Sequence, residues 1–328
     1  MTRIVFSGDG DLLAIRFARS PVWETHLAVR TFVDERSRLY HEPWHRAVRA
    51  AAARLDLEPL LATHPPTGFV PDFVTPPPSH ASPTLAEQLD QIRATPLRQV
   101  REELELCLSS SAGGLYGTVL ESLVADPATA RELLAVRMEE AWDALVAPFW
   151  PRIEELIDAD IGYRSHRLVT RGLRGVLDDL HPGIRWVNGA VEVDDAGATE
   201  VALAGRGLLL MPSAYAWPIV AAIVDGPWQP TLVYPARGVA ELWAAPSPPP
   251  RALVRLLGQT RALVLVSLER PTSTTTLAAR LGRSTSGVSG HVLALRDAGL
   301  VVARRHGHEV RYARTRLGLA LVRASKGG

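Results

Sequence analysis

Residues 41–45 read HEPWH, a spacing that can place two histidines on one face of a helix. In that arrangement the histidines hold a zinc ion and the glutamate acts as the general base of a hydrolase. Pro43 stands between the histidines here, and a proline inside a helix costs about 3 kcal/mol. Proline also disfavours the helical conformation in the residue before it, Glu42. We therefore expect the helix to begin at Pro43, with His41 outside it, and we expect no metal site and no catalytic residue here.

A second pattern that could do chemistry, RSTSGVSGHVLALRDAGL, occupies residues 283–300. It opens with small hydroxyl and glycine residues, which are weak helix formers, and ends with the apolar spacing of a helix. Small side chains let a helix N-terminus approach a DNA groove, hydroxyl groups can donate to phosphates or bases, and free backbone amides attract anions. The pattern predicts a helix that approaches DNA through its first turns. Its candidate contacts are Ser284, Thr285, Ser286, Ser289, Gly290 and His291.

A basic hairpin, RRHGHEVR, follows that helix at residues 304–311. Positive side chains on a two-stranded ribbon suit adjacent phosphates or a minor groove. The candidate contacts are Arg304, Arg305, His306, His308 and Arg311.

The elements that must position these residues are a pair of helices joined by a tight turn. Ser273 can cap the first helix and Gly282 can adopt the left-handed conformation after it. Ser284 can cap the second helix. The core side of this second helix is formed by Val288, Val292 and Leu295.

The stretch TTTLAARLGRSTSGVSGHVLALRDAGLVVARRHGHEVRYA resembles the winged-helix domain of ArsR-type bacterial transcription regulators. The resemblance covers about the last 75 residues and implies a winged helix-turn-helix, a homodimer, an inverted-repeat operator in double-stranded DNA, and repression. It implies that residues 284–298 form the reading helix. Gly290 and Leu293 stand where the family often has basic or histidine residues, so the base preference does not carry over. The cysteine, histidine and acidic residues of the family's metal sites are absent from the corresponding helices, and we expect no cofactor.

Charge separates the chain into two parts. Residues 251–328 carry 14 basic and three acidic residues, whereas the first 250 residues carry 22 basic and 32 acidic residues. A basic module on an acidic body indicates a polyanion partner, although pairing between the two halves is an alternative explanation. A proline-rich linker, AAPSPPP at residues 244–250, marks the boundary. We expect an N-terminal sensing domain at residues 1–243, this linker, and a DNA-binding domain at residues 251–328.

The acidic part is expected to be mainly helical, with small antiparallel β elements at about residues 184–235. An Asn188-Gly189 turn between short apolar runs predicts a β-hairpin there. The segments TEVALAGRGLLLM and TLVYPA are expected to extend the hairpin into one antiparallel sheet. Residues including DLLAIRFARSPVWETHLAVRTF also resemble a bacterial N-terminal domain of unknown function that precedes such DNA-binding domains. All eight tryptophans precede the linker, and an effector pocket is proposed from Trp23, His41, Trp44, Trp142 and Trp150.

Cysteine content and hydropathy bear on the compartment. A single cysteine, Cys107, excludes an intramolecular disulfide framework and suits a reducing cytosol. No signal peptide opens the chain, and the uncharged run at residues 207–224 contains two prolines, which argue against a membrane span. We expect a cytoplasmic, dimeric DNA-binding regulator with a small-molecule effector and no membrane association. The alternatives are a DNA-associated zinc hydrolase that uses His41, Glu42 and His45, or a protein-interaction module.

Overall fold

The computed structural model describes residues 1–65, 68–111, 116–194, 199–224, 226–243, 248–269, 271–306 and 309–326. Over these residues the chain is mainly α-helical with small β elements, as expected. It divides into two compact units. The first comprises Met1–Pro148 and Leu156–Trp243, and the second comprises Phe149–Glu155 and Ala244–Gly328. The sequence predicted a division at residue 244. It did not predict that Phe149–Glu155 would belong to the second unit.

The helices before residue 244 are α1 (Asp9–Leu13), α2 (Pro21–Arg30), α3 (Glu35–Tyr40), α4 (Glu42–Ala52), α5 (Glu58–Ala62), α6 (Leu85–Ala94), α7 (Leu97–Ser110), α8 (Gly117–Ala125), α9 (Pro127–Ala141), α10 (Trp150–Leu177) and α11 (Val239–Leu242). The strands in the same part are β1 (Thr2–Val5), β2 (Arg16–Phe17), β3 (Ile184–Val187), β4 (Ala190–Val193), β5 (Glu200–Ala202), β6 (Leu209–Ser213), β7 (Ala221–Ile223) and β8 (Thr231–Pro235). Short 3-10 turns at Asp72–Val74 and Ala147–Phe149 and a π-helical turn at Trp142–Val146 complete the described part.

Helix α2 lies at the centre of the first unit, because all ten of its residues are buried. Its start is fixed locally. The Ser20 hydroxyl accepts a hydrogen bond from the Trp23 amide, and Pro21 occupies the first turn, where its missing N–H costs nothing. A helix that is buried on every side must place its polar residues against internal partners. This burial is why the titratable groups of α2 matter below.

The strands of the first unit form two sheets, not the single antiparallel sheet expected at residues 184–235. One sheet has the order β3-β4-β1-β5 and the other the order β2-β6-β8-β7. The expected hairpin is present, since Asn188 and Gly189 both have positive φ between β3 and β4. Strands β6 and β8 are parallel and wholly buried, and strands covered on both faces are typical of parallel pairing.

The second unit has five helices and three strands within its described residues beyond 248. The helices are α12 (Arg251–Leu257), α13 (Gln259–Ser267), α14 (Thr274–Leu281), α15 (Thr285–Asp297) and α16 (Arg316–Lys326). The strands are β9 (Thr272–Ser273), β10 (Val301–His306) and β11 (Glu309–Arg314), and they pair antiparallel in the order β10-β11-β9. A separate apolar core joins α12, α13, α14, α15 and α16.

In the part of the chain that the structure describes, no helix has the length and apolar character needed to cross a membrane. The uncharged run at residues 207–224 supplies β6, β7 and the segment between them.

Candidate functional site

Helix α15 is positioned by its cap and by one apolar stripe, both as predicted. The Ser284 hydroxyl accepts a hydrogen bond from the Gly287 amide at 3.3 Å and so ends the preceding turn. Val288, Val292 and Leu295 are buried in the core of the second unit. The turn before the helix also follows the prediction, since Gly282 has a φ of 60° and the Ser273 hydroxyl accepts from the Thr276 amide.

The other face of α15 carries the small residues that the sequence indicated. Thr285, Ser286 and Gly290 are exposed, while Ser289 and His291 are half-buried. Leu293 is 37% exposed, an apolar side chain on an otherwise polar face. The first two turns thus offer hydroxyl groups and free backbone amides to solvent, and they offer little bulk. Such a surface can come close to an anionic partner.

Nothing in the described part of the second unit explains why residue 290 is a glycine. A Cβ atom built at this residue meets nothing within 4 Å, and the backbone is not left-handed. Alanine stabilises a helix interior by about 1 kcal/mol relative to glycine. Glycine at this position leaves the exposed face of α15 without a side chain, at the cost of this helix stability.

The β10–β11 hairpin brings two of the predicted basic residues together. Arg304 and Arg311 are register partners, so their side chains leave the same face of the ribbon. Arg305 is the partner of Val310 and alternates onto the other face, on which Tyr312 packs against the core. The His306 backbone belongs to β10, and His308 lies outside the described residues.

Glu155 supports the helix pair, and sequence reasoning missed it. Its carboxylate accepts hydrogen bonds from the Thr272 hydroxyl of β9 at 2.5 Å and from the Arg280 guanidinium of α14 at 2.9 Å. Arg280 also donates to the Ser267 carbonyl at 2.9 Å, so it links α13 to α14. No motif near Glu155 indicates this role, because its partners Thr272 and Arg280 are more than 100 residues away in the chain. A fragment that begins at Arg251 lacks this carboxylate.

The structure places two of the predicted effector residues in one aromatic cluster. His41 and Trp44 are buried in an aromatic cluster with Tyr215 and Trp243, with ring centroids 4.8 to 6.4 Å apart. Trp23 is buried on α2 and Trp142 is half-buried in the π-helical turn, whereas Trp150 belongs to the second unit. His41 and Trp44 thus share one cluster, while a pocket formed by all five residues stays a prediction. Sequence periodicity could not group them, because the contacts depend on Tyr215 and Trp243 from distant segments.

The two histidines of the HEPWH motif stand one helical turn apart, since the His45 amide donates to the His41 carbonyl at 2.9 Å, and each ring has a protein partner. Helix α4 begins at Glu42, one residue earlier than expected, and His41 lies just outside it. The Trp243 indole N–H donates to His41 Nδ1 at 2.9 Å, and His45 Nε2 lies 3.0 Å from the Thr31 hydroxyl. Among the described residues, no group of three or more histidine, cysteine, aspartate or glutamate side chains could hold a metal ion.

Three buried histidines of the first unit are held neutral. Burial lowers the pKa of His26 to about 4, and burial lowers the pKa of His41 to about 3, with smaller effects of nearby positive charge. Burial also places the pKa of His64 well below its ordinary value, and its ring lies 4.7 Å from that of His26. Within the described residues, His26 Nδ1, His41 Nε2 and His64 Nδ1 have no hydrogen-bond partner.

Burial raises the pKa of two other groups of the first unit, Glu24 and Cys107. Burial raises the pKa of Glu24 to about 8, although hydrogen bonds to Ser213, Ala214 and Tyr215 partly oppose the rise. Both carboxylate oxygens lie 3.1 Å from the Ala214 amide. Burial raises the pKa of the Cys107 thiol to about 12, which fits the expected buried, unreactive cysteine.

A family model matches part of the chain. No curated protein and no solved structure matches the chain. Residues 93–240, less than half of the chain, match a family described as being of unknown function, DUF5937.

Proposed function

We propose that this protein is a cytoplasmic DNA-binding transcription regulator, a repressor that binds an inverted-repeat operator as a homodimer. On this proposal the second unit is a winged helix-turn-helix of the ArsR type, and the first unit responds to a small-molecule effector. The observation that carries the proposal is the exposed face of α15, where small polar residues and an otherwise unexplained glycine stand above a fully packed core stripe. A surface of this kind allows a partner to come very close to the helix.

The chemistry of that surface favours DNA. The first turns of α15 present backbone N–H groups and the hydroxyls of Thr285 and Ser286, which can donate to phosphates or base edges. Arg304 and Arg311 on the hairpin supply two cations for phosphates beside the helix. Residues 251–328 carry a large positive excess, which attracts a polyanion over a long range.

Two exposed leucines on neighbouring helices support the proposed dimer. Helix α12 packs against α16, with Leu253 and Val322 in the core of the second unit. Leu256 on α12 and Leu317 on α16 are 65% and 60% exposed. Two exposed leucines on adjoining helices suit a symmetric interface, in which a second copy covers the same residues. A two-fold dimer reads a two-fold operator.

The contribution of Arg304 and Arg311 is tested by salt dependence. Replacing both with alanine is expected to weaken binding to all duplex sequences similarly, and to reduce the slope of log affinity against log salt by about two units. The measurement is fluorescence anisotropy with labelled duplexes at several salt concentrations. Arg98→Ala, an exposed arginine of the first unit, is the matched control and should leave the slope unchanged. An unchanged slope in the double variant would remove the hairpin from the proposed interface.

Substitution of Gly290 distinguishes an effect on stability from an effect on DNA binding. Gly290→Ala is expected to raise the unfolding free energy by about 1 kcal/mol. We expect the same variant to weaken operator binding by about 10-fold, comparable to the loss of one base contact. Gly162→Ala is the control, because Gly162 is an exposed glycine of α10 whose added Cβ also meets nothing within 4 Å. Gly162→Ala should raise the unfolding free energy without changing the affinity for DNA. Equal operator affinity in the Gly290 variant and the native protein would show that α15 does not approach DNA closely.

A further inference from the structure

A surface cleft in the first unit concentrates positive charge. Its volume is about 320 Å³, within the range of small-molecule sites. It lies over α3 and α4 and the end of α2. The residues that line it, here called the arginine cleft, are Phe32, Arg38, Glu42, His45, Arg46, Arg49 and Ala52.

The charges of the arginine cleft do not balance. Three guanidinium groups line it against one carboxylate, Glu42, which accepts a hydrogen bond from Arg46 at 3.0 Å. Arg46 and Arg49 are three residues apart on α4, so they share a face of the helix and repel each other. This concentration of positive charge stands out because the first 250 residues carry a net negative charge.

Two packed aromatic rings, those of Phe32 and His45, line the arginine cleft. The Phe32 and His45 rings meet edge to face with centroids 4.8 Å apart, and Phe32 also lies 5.7 Å from Trp44. The His45 ring is held by a contact with Thr31, because its Nε2 atom lies 3.0 Å from the Thr31 hydroxyl. That hydroxyl in turn donates to the Ala28 carbonyl. A flat apolar group can therefore rest against Phe32 while an anionic group meets the guanidinium forks.

We propose that the arginine cleft binds a small organic anion, an aromatic or similarly flat molecule that carries a carboxylate or a phosphate. Arg38 and Arg49 hold the anionic group, and Phe32 contacts the flat part. This binding does not depend on the proposed DNA-binding function, and its test contains no DNA.

The test is calorimetric titration of the full-length protein with benzoate, phenyl phosphate and benzylammonium. At least one of the two anions should bind with a dissociation constant of about 1 mM or tighter, as a few charge-assisted hydrogen bonds and one ring contact allow. Benzylammonium, the matched cation, should not bind. The two anions decide whether the site prefers a carboxylate or a phosphate.

Variants locate the binding. Arg38→Gln and Arg49→Gln should each weaken the preferred anion by about 10-fold, while Arg54→Gln, an exposed arginine outside the cleft lining, should not. Phe32→Leu should weaken phenyl phosphate more than inorganic phosphate, because only the former has a ring to contact. Thermal melts confirm that each variant is folded. The proposal is overturned if neither anion binds, if benzylammonium binds equally well, or if both cleft arginine variants bind like the native protein.

Discussion

Replacing Leu256 and Leu317 with glutamate is expected to convert the proposed dimer into a monomer and to lower affinity for the proposed operator by at least about 100-fold. The affinity falls because the two half-sites are then bound independently, and linked binding commonly exceeds single-site binding by this factor or more. The side chains are exposed on α12 and α16, so the substitutions do not disturb the core of the folded unit. Two buried carboxylates facing their symmetry mates would repel across the interface.

The experiment combines sedimentation equilibrium with fluorescence anisotropy. Leu39→Glu is the matched control, because Leu39 is 78% exposed but lies on α3 of the first unit. It should leave both the mass and the operator affinity unchanged. A double variant that remains dimeric would place the interface elsewhere, and a native protein that is monomeric at all concentrations would contradict the proposed dimer.

The free energy of unfolding is expected to be greatest near pH 6.5 and to fall on both sides. On the acid side, His26, His41 and His64 are neutral in the folded protein and take up protons near pH 6.5 only when it unfolds. A histidine with a depressed pKa favours unfolding as the pH falls below its unfolded value. Glu24 has a raised pKa, and it releases a proton on unfolding between about pH 4.5 and 8.

The direction of each pKa shift determines how the free energy of unfolding changes with pH. Between pH 8 and 6.5 only Glu24 contributes, and stability rises by about 1.4 kcal/mol per pH unit as the pH falls. Between about pH 6 and 4.5, these three histidines outweigh one glutamate by two protons, so stability falls by at least about 3 kcal/mol per pH unit. Burial also lowers the pKa of His45 and His181, and both add to this fall. Over both ranges the linkage follows from burial of these groups in the first unit.

Urea unfolding at several pH values measures this profile. Glu24→Gln should flatten the alkaline side between pH 6.5 and 8 and leave the acid side steep. His166→Gln, an exposed histidine of α10, is the control and should leave the profile unchanged. A native protein whose stability is constant from pH 5 to 8 would show that these groups are not buried as described.

The local features of the second unit could be predicted from the sequence because they depend on neighbouring residues. The cap at Ser284, the left-handed Gly282 and the buried stripe of α15 are each specified within a few positions. The same is true of the Asn188-Gly189 turn. Caps, turns and helical spacing are short-range physics, so one sequence contains them in full.

The features that the sequence did not reveal depend on long-range contacts. Strand β1, at the very start of the chain, lies between β4 and β5, and no local pattern pairs it with residues almost 200 positions away. The two-sheet arrangement follows from this insertion and from the buried parallel pair β6–β8. Glu155 and the partners of His41 were missed for the same reason.

The central claim, that the exposed face of α15 reads DNA, is tested most directly by selecting bound sites from a random duplex library with the full-length protein. We expect enrichment of an inverted repeat whose half-sites are one helical turn apart, or a multiple of it. Enrichment should be lost with the Arg304/Arg311 double variant at physiological salt. A folded native protein that enriches no sequence, and whose affinity for duplex DNA does not change with salt, would contradict the account.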